Sequence, residues 1–258
     1  DGSVPTARVI GARVIPGKGL VMPSVTAAAY MAVPMKQKSD PVAVPDESLM
    51  ETINEMVLPK VSTTGKGAWQ TYNHPFSATI QQIKATDGDE IIEKPYARVS
   101  IIIRGLGLNR NATLAAINKL PAAISLAFSP YAKGLEQWTG LARGAGHETL
   151  ISLPMEPVDF PSSDPGPLSL LTDVNLEVNV ARLHSIMSLS QAYVGLVQYM
   201  GSRFVTSEAA LKPIIKIIKD RGLLFVDDGL VNGALGVRLA ADMFLPHVRS
   251  DMIIDDDA

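Results

Sequence analysis

The ten residues from Ser100 to Asn109, SIIIRGLGLN, set the pattern of the second half of the chain. A short apolar run rich in β-branched residues ends on Arg104-Gly105, and helical periodicity follows at residues 112–119. An apolar run bounded by charge is typical of a buried strand, and the spacing after it is typical of a helix. The stretch therefore predicts the first strand and helix of a parallel α/β fold.

The same alternation continues along the rest of the chain. Segments with apolar residues at helical spacing separate further strand-like runs, which lie at residues 122–128, 149–154, 193–198, 223–228 and 251–255. Strands that alternate with helices favour a parallel sheet covered on both faces. We predict this α/β domain over residues 96–258. Residues 1–95 hold 9 of the 18 prolines and are expected to form an irregular arm with one short helix at residues 47–58.

Composition narrows the class of protein. The chain has 258 residues, of which 47% are hydrophobic, and this is enough to bury a full core. A formal net charge of -3 gives no basic surface for phosphates, so nucleic acid is not an expected partner. No apolar run is long enough to span a membrane and no signal-peptide pattern opens the chain, although the start at Asp1 leaves a removed leader open. The absence of cysteine excludes disulfides and thiolate metal sites.

Functional side chains in parallel α/β folds gather at the carboxyl ends of the strands. The polar candidates and their neighbours at those ends are Arg104, Ser129, Ser152, Met155, Glu156, Tyr199, Arg203, Asp227, Asp228 and Asp255. Gly105 and Gly107 resemble the start of a dinucleotide-binding fingerprint, but Arg110 stands at the third glycine position. A tight turn between strand and helix explains these glycines without a ligand.

Five segments together resemble the divergent polysaccharide deacetylases, relatives of the chitin-oligosaccharide and peptidoglycan deacetylases. The segments are SIIIRGLGLN, LPAAISLAFSPYA, ARGAGHETLISLPMEPVDFPSSDPGPLSLL, YVGLVQYMGSRFVT and RGLLFVDDG, within residues 97–255. The resemblance implies a distorted (β/α) barrel and a periplasmic or cell-envelope location. Because the family continues with another helix, strand and helix, we expect an incomplete barrel that is open on one side. The arm or a partner would cover that side, unless the sequence is a fragment.

In ordinary polysaccharide deacetylases an aspartate and two histidines hold a metal, and a second aspartate acts as the base. The resemblance places the aspartate pair on Arg104 and Gly105, and the two histidines on Ser152 and Glu156. A histidine of the divergent branch corresponds to Tyr199. The resemblance therefore implies that metal catalysis has been lost, and no cofactor is expected.

The four histidines of the chain offer no substitute pair. His147 precedes the third strand, on the side opposite the candidate site, and is expected to be a structural, hydrogen-bonded residue. None of His74, His184 and His247 has a histidine three or four residues away, which is the spacing that a helical metal site uses.

The sequence leaves three functions open, and with them the question of whether the protein is an enzyme. The first is a glycan-binding or scaffolding protein of the cell envelope, with a peptidoglycan-type ligand. The second is an active carbohydrate deacetylase or hydrolase that uses Glu156, Asp227 and Asp228, with zinc, another divalent metal or no metal. The third is a structural protein whose open barrel edge docks a protein partner or a second copy.

Two residue roles stay open as well. Arg104, with Arg203 near it, could hold the carboxylate or phosphate of an acidic glycan or peptide stem. Otherwise Arg104 pairs with Asp227, Asp228 or Glu156 and fills the cavity. The aspartate pair itself could form a turn at the strand end, with one aspartate capping the next helix.

Overall fold

The computed structural model describes residues 45–74, 80–84, 91–95 and 99–255. The strands, in chain order, are β1 (Met50–Ile53), β2 (Met56–Pro59), β3 (Ile80–Lys84), β4 (Ile91–Pro95), β5 (Ile102–Leu106), β6 (Ser125–Phe128), β7 (Thr149–Met155), β8 (Gly195–Met200), β9 (Leu224–Asp227) and β10 (His247–Arg249). The α-helices are α1 (Ala68–Thr71), α2 (Arg110–Lys119), α3 (Leu135–Gly144), α4 (Leu176–Met187), α5 (Glu208–Asp220) and α6 (Gly236–Asp242). Short 3-10 turns lie at Glu47–Leu49 and Phe204–Thr206.

The chain divides into two compact units, and the larger one contains the predicted sheet. It comprises Ser39–His74 and Ile101–Ala258, while the smaller unit comprises Asp1–Lys38 and Pro75–Ser100. Within the described part of the smaller unit, β3 and β4 pair antiparallel. The first 44 residues of the predicted arm lie outside the described residues.

Six parallel strands form the sheet of the larger unit, in the order β10-β9-β8-β7-β6-β5. Every residue of β6 and β7 is buried, as expected for strands covered on both faces. This confirms the predicted α/β class and the incomplete barrel, because β5 and β10 each have an unpaired edge within the described residues.

The junction between β5 and α2 is built as the sequence predicts. Asn109 caps α2 by accepting a hydrogen bond from the Ala112 amide at 3.1 Å. Gly107 has a φ of +91°, and a Cβ atom there would lie 2.3 Å from the Ala132 Cβ atom. The turn therefore requires glycine for steric reasons, and no nucleotide is needed to explain it.

Two predicted elements are wrong. Residues 47–58 form a 3-10 turn and the β1–β2 hairpin instead of a helix, because Asn54 and Glu55 both have positive φ and reverse the chain. The last strand is β10, not residues 251–255, where Met252 and Ile254 are 75% and 74% exposed and pair with no strand.

The structural role predicted for His147 is confirmed, because its two ring nitrogens lie 2.8 Å from the Ile124 carbonyl oxygen and 3.1 Å from that of Ile117. None of the described helices is both long and apolar enough to cross a membrane.

Candidate ligand site at the carboxyl edge of the sheet

The side chain of Arg104, on β5, contacts residues of strands that are not adjacent to β5 in the sheet. Its Nη1 atom lies 3.5 Å from the backbone oxygen of Gln198, on β8, and 3.7 Å from Oδ2 of Asp228, which follows β9. Two strands separate β5 from β8, so in a flat sheet they would be roughly 14 Å apart. The contacts therefore show that the sheet curves strongly, and they bring three side chains together. We call Arg104, Gln198 and Asp228 the Arg104 cluster.

Gln198 is the member that the sequence analysis missed. It is fully buried, and its side-chain Nε2 donates to Asp228 Oδ1 at 3.1 Å and to the Met200 carbonyl at 2.9 Å. Both of these neighbours are acceptors, which fixes the orientation of the amide. The opposite atom, Oε1, has no hydrogen-bond partner and is inaccessible to solvent. A glutamine inside the apolar run YVGLVQYM was the available signal, since buried amides usually have a specific partner.

Asp228 is a buried carboxylate with a weak countercharge. Its Oδ1 atom accepts hydrogen bonds from Gln198 and from the Leu230 amide, the latter at 3.2 Å. Burial raises the pKa of Asp228, and the nearby charge of Asp227 raises it further. The Leu230 hydrogen bond and the Arg104 charge lower it, but they do not offset burial.

Asp227 has a local structural role. Its Oδ1 atom accepts from the Gly229 amide at 2.8 Å, which closes a turn at the end of β9. The turn predicted for the aspartate pair is therefore present. Neither aspartate caps the next helix, because the N-cap of α6 is Leu235 and has no side-chain cap bond.

Glu156 and Arg203 belong to a second cluster. The Glu156 Oε2 atom accepts from the Thr172 amide at 2.5 Å and from its hydroxyl at 2.6 Å. Its Oε1 atom lies 3.1 Å from Arg203 Nη1, and Arg203 Nη2 lies 3.2 Å from Asp173 Oδ2. Glu156 thus ties β7 to the segments that follow β7 and β8. We call Glu156, Thr172, Asp173 and Arg203 the Glu156 cluster.

The two clusters share no side chain. Within the described residues, no side-chain hydrogen bond or ion pair links Asp228 to Glu156. Arg203 is engaged by Glu156 and Asp173, whereas Arg104 faces Asp228. The sequence left open whether Arg104 binds a ligand or pairs with an acidic residue, and in this structure it pairs with Asp228.

The remaining candidates differ in their access to solvent. Met155 is fully buried, and Ser152 is 5% exposed. Ser129 Oγ accepts from the Tyr131 amide at 3.2 Å, in a local turn. Tyr199 is 38% exposed and is the most accessible of these four side chains, while Asp255, also exposed, lies beyond the last strand.

The residues present do not fit the metal that the resemblance implies. Of Arg104, Gly105, Ser152, Glu156 and Tyr199, only Glu156 carries a carboxylate, and both of its oxygens already have partners. Across the described ranges, no group of three or more histidine, aspartate or glutamate side chains is arranged to hold an ion. His184, whose pKa is lowered by burial and by the Arg221 charge, lies on α4.

A family model described as divergent polysaccharide deacetylase matches residues 101–258. The protein YibQ of Escherichia coli K12 is 24% identical over 163 residues, which are 62% of this chain and 49% of YibQ. A Haemophilus influenzae protein is 24% identical over 166 residues, which are 62% of this chain and 56% of that protein. The chain thus spans about half the length of these curated relatives.

A solved structure is also similar. The crystal structure of the protein ATU2773 from Agrobacterium tumefaciens C58 matches with a TM-score of 0.69 and 33% identity. The match covers 78% of this chain and 75% of that chain. The α/β architecture described above is therefore shared with an experimentally determined structure.

Proposed function

The chain belongs to the divergent polysaccharide deacetylase family, and from this we propose that it is a glycan-binding member that works without a catalytic metal. The observation that carries the proposal is Arg104-Gly105, in the carboxyl-terminal half of β5. A permanent cation stands within 3.7 Å of the buried Asp228, where a divalent cation would be repelled. The carboxyl edge of the sheet has polar groups suited to binding, while the positions that the family resemblance assigns to metal ligands carry other side chains.

The family gives the proposal its ligand class and its location. A polysaccharide or peptidoglycan-type glycan is the ligand that the fold's relatives imply, and the cell envelope is where such glycans occur. A scaffolding role there is compatible with the edges of β5 and β10, which pair with no other strand of the described ranges and could accept a protein partner or a second copy.

The first test is the metal content of the purified protein after exposure to excess zinc and extensive dialysis. We expect less than about 0.1 zinc per chain, because the described residues offer no set of three ligands. In parallel, we expect no acetate release from chitohexaose but measurable binding of a glycan by calorimetric titration, with weaker binding by Arg104→Ala.

Different outcomes would favour the alternative enzyme. Its supporting observation is Asp228, since a buried carboxyl with a raised pKa is a candidate acid. Acetate release that is lost in Asp228→Asn would assign deacetylation to this residue and contradict our proposal. Near-stoichiometric zinc would contradict the metal-free part, and the absence of binding to every glycan tried would contradict the binding function.

A further inference from the structure

The guanidinium of Arg104 is only partly used. Both of its contacts within the described residues involve Nη1, and they measure 3.5 and 3.7 Å. Charge-assisted hydrogen bonds from arginine are typically about 2.7–2.9 Å long, so both contacts are loose. The edge formed by Nε and Nη2 has no partner in the described part of the chain. The side chain as a whole is 32% exposed, so Arg104 is partly open to solvent although its partner Asp228 is buried.

The backbone beside Arg104 leaves room for a ligand. Gly105 has a φ of +73°, and no atom lies within 4 Å of the position that a Cβ atom would occupy there. Steric crowding therefore does not require glycine at this site, in contrast to Gly107. Open space therefore adjoins the backbone next to Arg104.

The charge of the cluster favours a monoanion. Asp228 is the acid that faces Arg104, and burial weakens its charged form by raising its pKa. Asp227 is the other charged group that acts on Asp228, and its own carboxylate is held in the turn with Gly229. One guanidinium that is partly compensated matches a single carboxylate better than a phosphate dianion. Two parallel N–H···O bonds to the free edge would bind that carboxylate in its plane.

We propose that the Arg104 cluster is a carboxylate-binding subsite, filled by an acidic sugar that binds the free edge of Arg104. The inference rests on the proposed glycan-binding function and adds its charge specificity. Because a peptide carboxylate has the same chemistry, the sugar is chosen on the proposed glycan-binding function, and the experiment distinguishes the two sources. Arg203 is not part of the subsite, because Glu156 and Asp173 already engage it.

The experiment compares two glycans that differ only in charge. Chitopentaose and its C6-carboxylated counterpart are titrated separately into the full chain at neutral pH and low salt. We expect the carboxylated sugar to bind about tenfold more tightly or better, as one charge-assisted bidentate pair provides. Arg104→Gln is expected to remove this preference, so that the variant binds the two sugars equally weakly.

Two further variants separate the guanidinium from general effects of charge. Arg104→Lys keeps the charge without the planar fork, and it is expected to lose most of the preference. Arg238→Gln removes the same charge from α6, where Arg238 pairs with Glu208 and Asp242, and it is expected to keep the full preference. Thermal unfolding of each variant verifies that it is folded before it is titrated.

The possible outcomes separate the carboxylate specificity from the proposed glycan binding on which it rests. Equal binding of the two sugars by the native chain would overturn the charge specificity and leave glycan binding intact. Binding of neither sugar would overturn both. A dipeptide with a free C-terminal carboxylate that binds more tightly than its amide, with no such difference between the sugars, would show that the subsite takes a peptide. An equal loss of preference in Arg238→Gln would reduce the effect to net charge and overturn the role of Arg104.

Discussion

At the scale of single residues, two arginines with similar positions in the sequence pattern have different surroundings. Arg203 contacts two carboxylates at 3.1 and 3.2 Å, which are distances of direct ion pairs. Arg104 contacts its acid only at 3.7 Å and leaves most of its donors without partners in the described part of the chain. Arg203 is thus best explained as a residue that holds loops together, and Arg104 as one available to a ligand.

The pH dependence of stability tests the environment of Asp228. Because burial raises its pKa in the folded state, the charged form destabilises the fold, and stability declines as pH rises through the window between the ordinary and the raised pKa. Asp228→Asn keeps an oxygen for Gln198 and Leu230 but cannot ionise. We expect the variant to be more stable than the native chain at pH 7, on the order of 1 kcal/mol, with the difference vanishing near pH 4. Urea unfolding at several pH values measures this.

Asp173→Asn is the matched control, since its side chain is 76% exposed and, among the residues that the structure describes, pairs only with Arg203. It should show no gain at pH 7, because solvent screens an exposed pair. If Asp228→Asn is instead less stable than the native chain at pH 7, the ion pair with Arg104 outweighs burial, and the carboxylate-binding subsite loses one of its supports.

The sequence indicated part of this site. Arg104, Asp227 and Asp228 were predictable, because a residue at the end of a parallel strand lies at the same edge as the ends of its neighbours. Gln198 carried only the weaker signal of an amide within an apolar strand, since it lies inside β8 and its partner Asp228 follows the neighbouring strand β9. The partners of Glu156 could not be predicted either, because the path of the loop after β7, which brings Thr172 back to Glu156, has no periodic sequence pattern.

At the scale of elements, the sheet was more predictable than the hairpin before it. Each βα unit shows its period over several residues, so β6 and β7 agree with expectation. In residues 47–58, the apolar side chains Leu49, Ile53, Met56 and Val57 also match a helical period. The two-residue turn at Asn54-Glu55 decides against the helix, and without glycine it gives a weak signal.

That turn offers a substitution that should stabilise the fold. Glu55 has a φ of 66°, in a region where a residue with a Cβ atom is strained. Glu55→Gly removes the strain and gives Asn-Gly, the preferred pair for such a turn. After the larger entropy of glycine in the unfolded chain is subtracted, we expect a gain of about 0.5–1 kcal/mol in the free energy of unfolding. Denaturant unfolding measures it.

Glu55→Ala is the control, because alanine retains the Cβ atom and should therefore give little or no gain. An equal gain in both variants would attribute the effect to loss of the glutamate charge, and a loss in Glu55→Gly would contradict the geometry of the turn.

At the scale of the whole molecule, residues of the predicted arm are built into the larger unit. Gly67 and Gly222 approach so closely that a Cβ atom on Gly222 would lie 2.8 Å from the Gly67 Cα atom. The Trp69 amide donates to the Gly222 carbonyl at 3.2 Å, and Arg221 forms an ion pair with Glu51. These contacts join α1 and the β1–β2 hairpin to the end of α5, so residues 45–74 and the sheet are expected to unfold together.

The two tryptophans of the chain allow this cooperativity to be measured, because Trp69 lies on α1 and Trp138 on α3. Variants with a single tryptophan, Trp138→Phe and Trp69→Phe, report separately on the N-terminal segment and on the sheet. In urea we expect each fluorescence transition to coincide with the far-UV circular dichroism transition of the same variant, as two-state unfolding requires. Adding Leu58→Ala, which removes a fully buried side chain of β2, should lower both midpoints together, by about 2–5 kcal/mol in stability. The contrary result is a Trp69 transition at lower urea concentration than the Trp138 transition, with only the Trp69 transition shifted by Leu58→Ala. It would show that the N-terminal segment unfolds independently and that the sheet is stable without it.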